Sequence, residues 1–374
     1  MFTTSLSIVF RYPKTENQEV VSGEVKNAFH FTNELVAKSK LSTIISFEED
    51  LKQNYVENRA DGISIIRIST PKTRGVIRYL TRVFNAYLFC RKIAFNKYDI
   101  VHSHVTYGSI LAVLLGFRKV LITTPHGTNY QEIQTELGKS FKDRLRRLNA
   151  ELQRMLDTMA MNASTLTTSV SEYQVADMKH TYRCVRPICV VYNGVPEYYK
   201  ENADIVKFYD GLFIGRACKK KGIDLFYQLA QQRPNKYFKM VLGDEIFTTL
   251  PASFMRKLEN LENIDIVYRR TEQQLVEDIN SARVLLVPSR GYESLPTVIM
   301  EAIACAVPVI ATNAWGNPEV IKNQNLLFKE DVFEDFVRAY EYASERGYQD
   351  NDYSNKSLNT EHGKLINAYE AIKK

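Results

Sequence analysis

The sequence predicts an α/β protein made of two Rossmann-like domains that face each other across an interdomain active-site cleft. Short β-branched or apolar runs alternate with longer helical patterns along nearly the whole chain, as expected for parallel sheets covered by helices. The alternation pauses at residues 190–196, where Asn193-Gly194 marks a turn, and it restarts near residue 211. Because ligands of open α/β sheets bind beyond the carboxyl ends of the strands, two such domains suggest a shared cleft.

The chain has 374 residues, which is long enough for two α/β domains of ordinary size. We predict an N-terminal domain over residues 1–195, a C-terminal domain over residues 196–355, and a final helix over residues 356–374 that could cross back to the first domain. The predicted strands cover residues 5–10, 42–46, 64–68, 100–102, 120–124 and 164–169, and then 211–214, 238–242, 264–267, 284–287 and 307–311.

Composition and charge exclude several classes of protein. The formal net charge of +6 is too small to argue by itself for nucleic-acid binding. The N-terminus lacks a basic region followed by a long apolar core, so we expect no signal peptide, and the longest apolar run, residues 110–117, is too short to span a membrane. The cysteines form no C-x-x-C pair, which argues against a disulfide framework or a zinc site. We expect a cytoplasmic protein with reduced thiols.

The strongest chemical signal follows the predicted strand at residues 284–287. The loop after this strand carries Glu293, and a helix predicted to begin near Thr297 carries Glu301. The backbone N–H groups around Thr297 and Val298 would then point out of a helix N-terminus, which is a favourable place for a diphosphate. Two carboxylates that flank an anion site are suited to accept hydrogen bonds from sugar hydroxyls. The alternative is that both are acids of a loop and a helix surface without a functional role.

A second signal follows the predicted strand at residues 211–214, where residues 215–222 read Gly-Arg-Ala-Cys-Lys-Lys-Lys-Gly. A departing diphosphate gains negative charge in the transition state, and cations stabilise it. Arg216 can bridge two oxygens, whereas Lys221 supplies a compact charge. Lys219 and Lys220 are predicted to be solvated bystanders, and a basic surface turn is the alternative interpretation of the whole segment.

These two segments resemble the Glu-x7-Glu and Gly-Arg-x4-Lys-Gly motifs of glycosyltransferase family 4, a family of retaining nucleotide-sugar enzymes with the GT-B architecture. The resemblance implies that Glu293 holds hydroxyls of the donor sugar, that Glu301 holds the ribose, and that Arg216 and Lys221 neutralise the diphosphate. It also implies same-face transfer, in which the leaving phosphate takes the proton of the acceptor. No Asp-x-Asp motif stands near a predicted strand end, so neither a metal nor another cofactor is expected.

Two predicted strands of the N-terminal half end in histidines. Residues 124–127 read Thr-Pro-His-Gly, and His126 resembles the strand-end histidine of the family, whose imidazole faces the donor sugar or the reaction centre. His102 is predicted to pack under the sheet, and His104 to border the cleft. Gly23 stands where the family has a glycine-rich turn near the diphosphate, although only one glycine of the usual pair is present.

The resemblance therefore predicts a donor site and a small catalytic group. The predicted donor-binding residues are Gly23, Arg216, Lys221, Glu293, Leu295, Pro296, Thr297, Val298 and Glu301. The predicted catalytic residues are His126, Arg216, Lys221 and Glu293. The expected reaction is retaining transfer of a sugar from a nucleotide diphosphate sugar, with UDP favoured over GDP, to a glycan or lipid-linked acceptor in cell-surface polysaccharide or glycoconjugate synthesis. The acceptor would bind to the N-terminal domain and the donor to the C-terminal domain.

Two other functions fit the same motifs. One is a sugar-nucleotide epimerase or a related transferase, and the other is a non-catalytic protein that binds a nucleotide sugar on this fold. An NAD-dependent dehydrogenase is disfavoured, because no G-x-G-x-x-G follows a predicted strand.

One stretch of the N-terminal half has an unusual charge pattern. No acidic residue lies between Asp61 and Asp99, and residues 75–95 alternate basic residues with large apolar ones. This pattern suits an interfacial helix on anionic lipid, so we expect residues 72–97 to contact an anionic membrane surface and the enzyme to be peripheral on the inner face of the membrane. The alternative is a helix that packs on the core and has a solvated basic face.

Overall fold

The structure is a computed structural model that describes residues 2–12, 23–49, 51–59, 61–73, 75–127, 130, 140–243, 250–353 and 358–373. These residues form two compact units. The first holds Glu24–Tyr192, together with the strand at the start of the chain and the last helix from Glu361 onward, and the second holds Asn193–Thr360.

The first unit is built on a mostly parallel sheet. Among the described residues its strand order is β3-β4-β2-β1-β5-β6-β7-β8, and only β3 runs antiparallel to its neighbour β4. The strands are β1 Phe2–Val9, β2 Ser39–Glu48, β3 Tyr55–Asn58, β4 Ile63–Ser69, β5 Ile100–Ser103, β6 Val120–Thr123, β7 Leu166–Ser169 and β8 Ile188–Val190. Since the order reverses between β1 and β5, the carboxyl ends of these two strands form a topological switch point, where ligands of such sheets bind.

Helices cover the sheet of the first unit. They are α1 Gly23–Ala37, α2 Gly75–Cys90, α3 Thr106–Leu114, α4 Phe141–Ala163 and α5 Glu172–His180. Ser140 and Ser171 begin α4 and α5 as N-caps, each accepting a hydrogen bond from a backbone N–H of the first turn. The core between α2, α3 and the sheet is apolar, and Phe47, Leu111 and Leu121 are buried in it.

The second unit has a fully parallel sheet over the described residues, with the strand order β11-β10-β9-β12-β13-β14. Its strands are β9 Gly211–Gly215, β10 Phe238–Leu242, β11 Ile264–Tyr268, β12 Leu285–Val287, β13 Val309–Thr312 and β14 Leu327–Phe328. Its helices are α6 Ile223–Gln232, α7 Ala252–Glu259, α8 Glu272–Asn280, α9 Thr297–Ala304, α10 Asn317–Val320 and α11 Phe333–Arg346. Here the switch point lies between β9 and β12, the two strands that lead into the predicted motifs.

The last helix, α12, spans Leu358–Lys373, and from Glu361 onward it belongs to the first unit. Tyr369 on this helix is fully buried, and its hydroxyl lies 2.6 Å from Nδ1 of His102. The side chain of Glu361 accepts a hydrogen bond of 3.0 Å from the backbone N–H of Tyr192. The end of the chain is therefore part of the first sheet's packing.

The predicted fold class is confirmed: the protein is α/β and has two Rossmann-like units with parallel sheets. The predicted strands are found within a few residues of their predicted ends, whereas β3, β8 and β14 were not predicted. β3 alternates half-buried and exposed residues at an edge of the sheet, so it lacks the apolar run that marked the others. In the part of the chain that the structure describes, no helix is both long and apolar enough to cross a membrane.

Candidate active site

The cationic turn follows β9, at the switch point of the second sheet. Residues Lys219–Lys221 form one short 3-10 turn, and Gly222 ends it with a positive φ of 66°. A methyl group added to Gly222 would lie 1.8 Å from the carbonyl oxygen of Pro288, so a glycine is required where the turn passes the loop after β12. The backbone N–H of Arg290 also donates a hydrogen bond of 2.6 Å to the carbonyl of Lys220. The two predicted motifs are thus in direct contact.

An ion pair joins the side chains of the two motifs. The Nζ of Lys221 lies 2.5 Å from Oε1 of Glu293, and the two side chains are only 18% and 15% exposed. Burial by itself would raise the pKa of the Glu293 carboxyl, but the charges of Lys221, Lys220 and Arg216 outweigh it and lower the pKa below its usual value. Glu293 is therefore ionised at neutral pH. Arg216 is exposed, and Lys220 contributes charge to the site although it was predicted to be a bystander.

The helix predicted near Thr297 begins at that residue. Pro296 is its N-cap and supplies no side-chain cap, so the first turn of α9 presents backbone N–H groups beside Glu293. A methyl group at Gly316 would lie 1.9 Å from the carbonyl oxygen of Ser294, which shows how closely the segment before α10 approaches this loop. Leu295 and Pro296 are buried and fix the entry into the helix.

Glu301 lies one turn into α9 and is 4% exposed. Burial raises the pKa of the Tyr199 phenol, and the nearby Glu301 carboxylate raises it further. The hydroxyl of Tyr199 also donates a hydrogen bond of 2.7 Å to Oε2 of Glu272. Glu301 is therefore buried inside the second unit near Tyr199 and is not a surface acid.

Several residues that brace the loop after β12 were not predicted. The guanidinium of Arg290 donates two hydrogen bonds to Asp224 on α6, of 2.5 and 2.8 Å, and also pairs with Asp331. Asn193 donates a hydrogen bond of 3.3 Å to the carbonyl of Leu295. Asp224 and Asp331 are distant from Arg290 in sequence, so no local pattern marks these contacts, and Asn193 was predicted only as part of a turn.

His126 lies in the first unit, in a histidine cluster at the carboxyl ends of β5 and β6, where His102 and His104 are buried and His126 is half-buried. Its Nε2 is 3.1 Å from Nδ1 of His104, and the rings of His102 and His104 are 3.9 Å apart. Burial lowers the pKa of His102 to about 3 and that of His126 to about 4, with the pKa of His104 also well below its usual value. These imidazoles are therefore neutral at pH 7. A neutral imidazole has one nitrogen that can donate a hydrogen bond to a hydroxyl and one that can accept a hydrogen bond from it.

A hydrogen-bonded chain fixes the base of this cluster. Nδ1 of His102 contacts the Tyr369 hydroxyl at 2.6 Å, and Nε2 contacts Oγ1 of Thr124 at 2.7 Å. His102 is thus fully buried, with both ring nitrogens in hydrogen-bond contact inside the first unit. Gly23 is the first residue of α1, and the preceding residues Val21 and Ser22, which complete the weak glycine-turn match, lie outside the described residues.

Comparison with solved structures defines the class of protein. The fold matches a sucrose-phosphate synthase from Thermosynechococcus elongatus with a TM-score of 0.74 at 17% identity, covering 99% of this chain and 96% of that one. It also matches the Anabaena protein HepE in complex with UDP-glucose, with a TM-score of 0.68 at 14% identity, covering 99% of this chain and 100% of that one. Both likenesses are of fold, and the fold is that of GT-B glycosyltransferases.

Sequence comparison then gives the family. The model for glycosyltransferase family 4 matches residues 23–197, and the model for glycosyl transferases group 1 matches residues 195–359. An uncharacterized glycosyltransferase of Methanocaldococcus jannaschii is 27% identical over 271 residues, which are 72% of this chain and 70% of the relative. The chain belongs to glycosyltransferase family 4, within the group 1 glycosyltransferases, and the predicted resemblance is confirmed.

Proposed function

We propose that the protein is a retaining, metal-independent glycosyltransferase that uses a nucleotide diphosphate sugar as its donor. One observation carries this proposal: the Lys221–Glu293 pair joins the cationic turn to the loop before α9, at the switch point of the second sheet. A diphosphate at this point would meet Lys221, the guanidinium of Arg216 and the N–H groups at the start of α9. This combination of fixed charge and dipole stabilises a leaving diphosphate.

Each proposed role follows from the chemistry of the residue that fills it. Lys221, held by Glu293, supplies a fixed positive charge to the diphosphate, and the exposed Arg216 adds a second one. Glu293, ionised and adjacent, is suited to accept hydrogen bonds from hydroxyls of the donor sugar, and buried Glu301 from those of the ribose. In same-face transfer the bond from the anomeric carbon to the phosphate oxygen breaks, the acceptor oxygen bonds to that carbon, and the acceptor's proton passes to the leaving phosphate.

In this proposal, neutral His126 of the first unit exchanges hydrogen bonds with a sugar hydroxyl. It has no base role in this mechanism, because the leaving phosphate takes the proton and because burial keeps the pKa of His126 low.

We propose UDP as the nucleotide and GDP as the second choice, which the likeness to a UDP-glucose complex supports. In a thermal-shift assay, UDP and UDP-sugars should then raise the melting temperature more than GDP and GDP-sugars do. A ligand at 100 times its Kd stabilises by about 2.7 kcal/mol, or roughly 5–10 °C for a domain of this size. Equal shifts with both nucleotides would refute the base preference, and the Lys221→Ala variant should lose most of the shift with either.

The alternative functions predict different results with the same donor. An epimerase would convert the donor sugar without any acceptor, and a non-catalytic binding protein would bind the donor without turnover. Release of UDP that depends on an added acceptor separates the transferase from both.

We also propose that the enzyme docks on anionic membrane through α2 and α4 and uses a glycan or lipid-linked acceptor there. α2 packs on the core through Tyr79, Val83 and Cys90. Its solvent-facing side is apolar, whereas the alternative interpretation requires a basic one. The large apolar residues exposed on the two helices are Ile77, Leu80, Phe84, Tyr87 and Leu88 of α2, and Phe141, Leu145, Leu148, Leu152, Met155 and Met159 of α4. We call these residues the apolar docking face.

Two further features support this docking. The apolar residues of α4 recur at intervals of three and four, so they form one stripe along a helix whose exposed basic residues include Lys142, Arg144 and Arg146. The two helices are neighbours, since the backbone N–H of Val76 on α2 donates a hydrogen bond of 3.0 Å to Oδ1 of Asn149 on α4. Apolar stripes with basic flanks are typical of helices that lie at an anionic lipid surface.

Flotation with liposomes tests this docking. The wild-type protein should float with vesicles that contain phosphatidylglycerol and should float less with pure phosphatidylcholine or at high salt. Phe84→Ser should reduce flotation several-fold, whereas Phe208→Ser in the second unit should not, although the two side chains are similarly exposed, at 61% and 59%. Equal flotation of both variants, or no flotation of the wild type, would remove the proposed docking.

A further inference from the structure

A cavity of about 380 Å³ lies within the first unit, below the apolar docking face. It is walled by α2, α3, α4 and the segment after β6, at the switch point of the first sheet. Its volume is at the small end of the range for ligand pockets, so it suits one sugar-sized molecule and not an extended chain. Its polar walls are provided by Arg78, Arg82, His104, His126 and Asp157.

One wall of the cavity carries an excess of positive charge. The guanidinium groups of Arg78 and Arg82 share a single carboxylate oxygen, Oε1 of Glu49, at 3.3 and 3.2 Å. Arg82 is only 5% exposed and is held between the rings of Phe10 and Tyr107, 4.8 and 5.2 Å from their centres. Within the described residues, its Nε has no hydrogen-bond partner. Two guanidinium groups that share one carboxylate leave a positive charge unbalanced, which an anionic ligand would compensate.

The remaining walls carry a carboxyl group and two imidazoles, which suit hydrogen bonds with hydroxyls. Asp157 accepts a hydrogen bond of 2.6 Å from the Thr106 hydroxyl, and burial raises the pKa of its carboxyl to about 7. His104 and His126 contact each other through one ring nitrogen each, and among the described residues Nε2 of His104 and Nδ1 of His126 have no hydrogen-bond partner. Buried polar atoms are normally satisfied, so such unmatched donors and acceptors indicate a polar ligand.

We propose that this cavity binds the acceptor, and that the acceptor is a polyhydroxylated molecule with an anionic group, either a phosphate or a carboxylate. Arg78 and Arg82 hold the anion, and Asp157, His104 and His126 exchange hydrogen bonds with the hydroxyls. The inference rests on the proposed transferase function, because it assigns the second substrate of that reaction.

Three probes that share one sugar ring test the charge requirement. Glucose 6-phosphate, glucuronate and glucose are titrated into the full-length protein by calorimetry, together with a short-chain, water-soluble phosphatidylinositol. At least one anionic probe should bind ten or more times more tightly than glucose, a ratio that corresponds to about 1.4 kcal/mol. Binding of the phosphatidylinositol alone would support the proposal with a lipid as the source of the anion. Equal affinity for glucose and all anionic probes, or binding of none, would overturn it.

Variants locate the binding. Arg78→Gln should remove the preference for the anionic probe, whereas Arg118→Gln, which removes an exposed arginine between α3 and β6, outside both the cavity and the apolar docking face, should keep it. Asp157→Asn should weaken all bound probes while the preference remains. UDP binding, which reports on the second unit, should be unchanged in all three variants. An anion preference that survives Arg78→Gln would overturn this assignment alone, whereas failure of the wild type to bind any nucleotide would count against the proposed transferase.

Discussion

Replacing Lys221 with alanine should lower turnover by at least about 100-fold, because it removes a preorganised charge that stabilises the leaving diphosphate. Glu293→Ala should cost a similar factor, since it removes the partner that orients Lys221 at 2.5 Å as well as the proposed contact to the donor sugar. Initial rates of UDP release from UDP-sugar measure both effects, and circular dichroism checks that the fold is intact.

The ion pair also predicts how the two substitutions combine. Residues that act as one unit are not additive, so the double variant should be little slower than either single variant. Lys219→Ala is the matched control: this lysine lies in the same short turn and is exposed, and its rate should stay within about two-fold of the wild type by comparison with other exposed substitutions. Wild-type kinetics in Lys221→Ala or Glu293→Ala would refute the site assignment.

Gly222→Ala should destabilise the protein by about 3–5 kcal/mol. The added methyl group would lie 1.8 Å from the Pro288 carbonyl oxygen, a backbone atom that cannot rotate away, and the φ of 66° adds about 1–2 kcal/mol of strain. The melting temperature should fall by roughly 10 °C. Donor binding should weaken because the turn carries Lys221.

Gly291→Ala separates the two causes. Gly291 also has a positive φ, of 71°, but no atom of the described residues lies within 4 Å of a methyl group added there. This variant should therefore lose only the strain contribution, about 1–2 kcal/mol. If both variants lose the same stability, the close contact between the cationic turn and the loop after β12 does not exist as described.

Many elements of the second unit could be predicted from the sequence, because the residues that mark them are close together in the chain. The start of α9 at Thr297 follows from Pro296, which suits a position just before the first helical turn. The short turn and the helix after it follow from Gly222, the residue that can take the left-handed conformation. The side-chain pairing of Lys221 with Glu293 could not be read, because the two are 72 residues apart and meet only through the order of the strands.

In the first unit, fewer side-chain positions could be predicted from the sequence. α2 carries apolar residues on both sides, so its hydrophobic pattern could not say that Tyr79 faces the core and Phe84 faces solvent. The stripe of α4 could have been found, since Phe141, Leu145 and Leu148 are spaced as on one helix face. A role for Asp157 could not be predicted, because an isolated acid on a helix is ordinarily solvated. Only its burial in the structure distinguishes it.

Most of the strands, their α/β alternation and the residue types that suit a diphosphate could be predicted from the sequence, because strand, helix and turn preferences act over a few neighbouring residues. The tertiary structure alone decided which of those residues meet. It joined the two motifs of the second unit, buried Tyr369 against His102 across 267 residues, and placed two arginines on one carboxylate in a small cavity. The physical reason is that charge balance and burial depend on distances in space, which strand order and helix packing set and local sequence does not record.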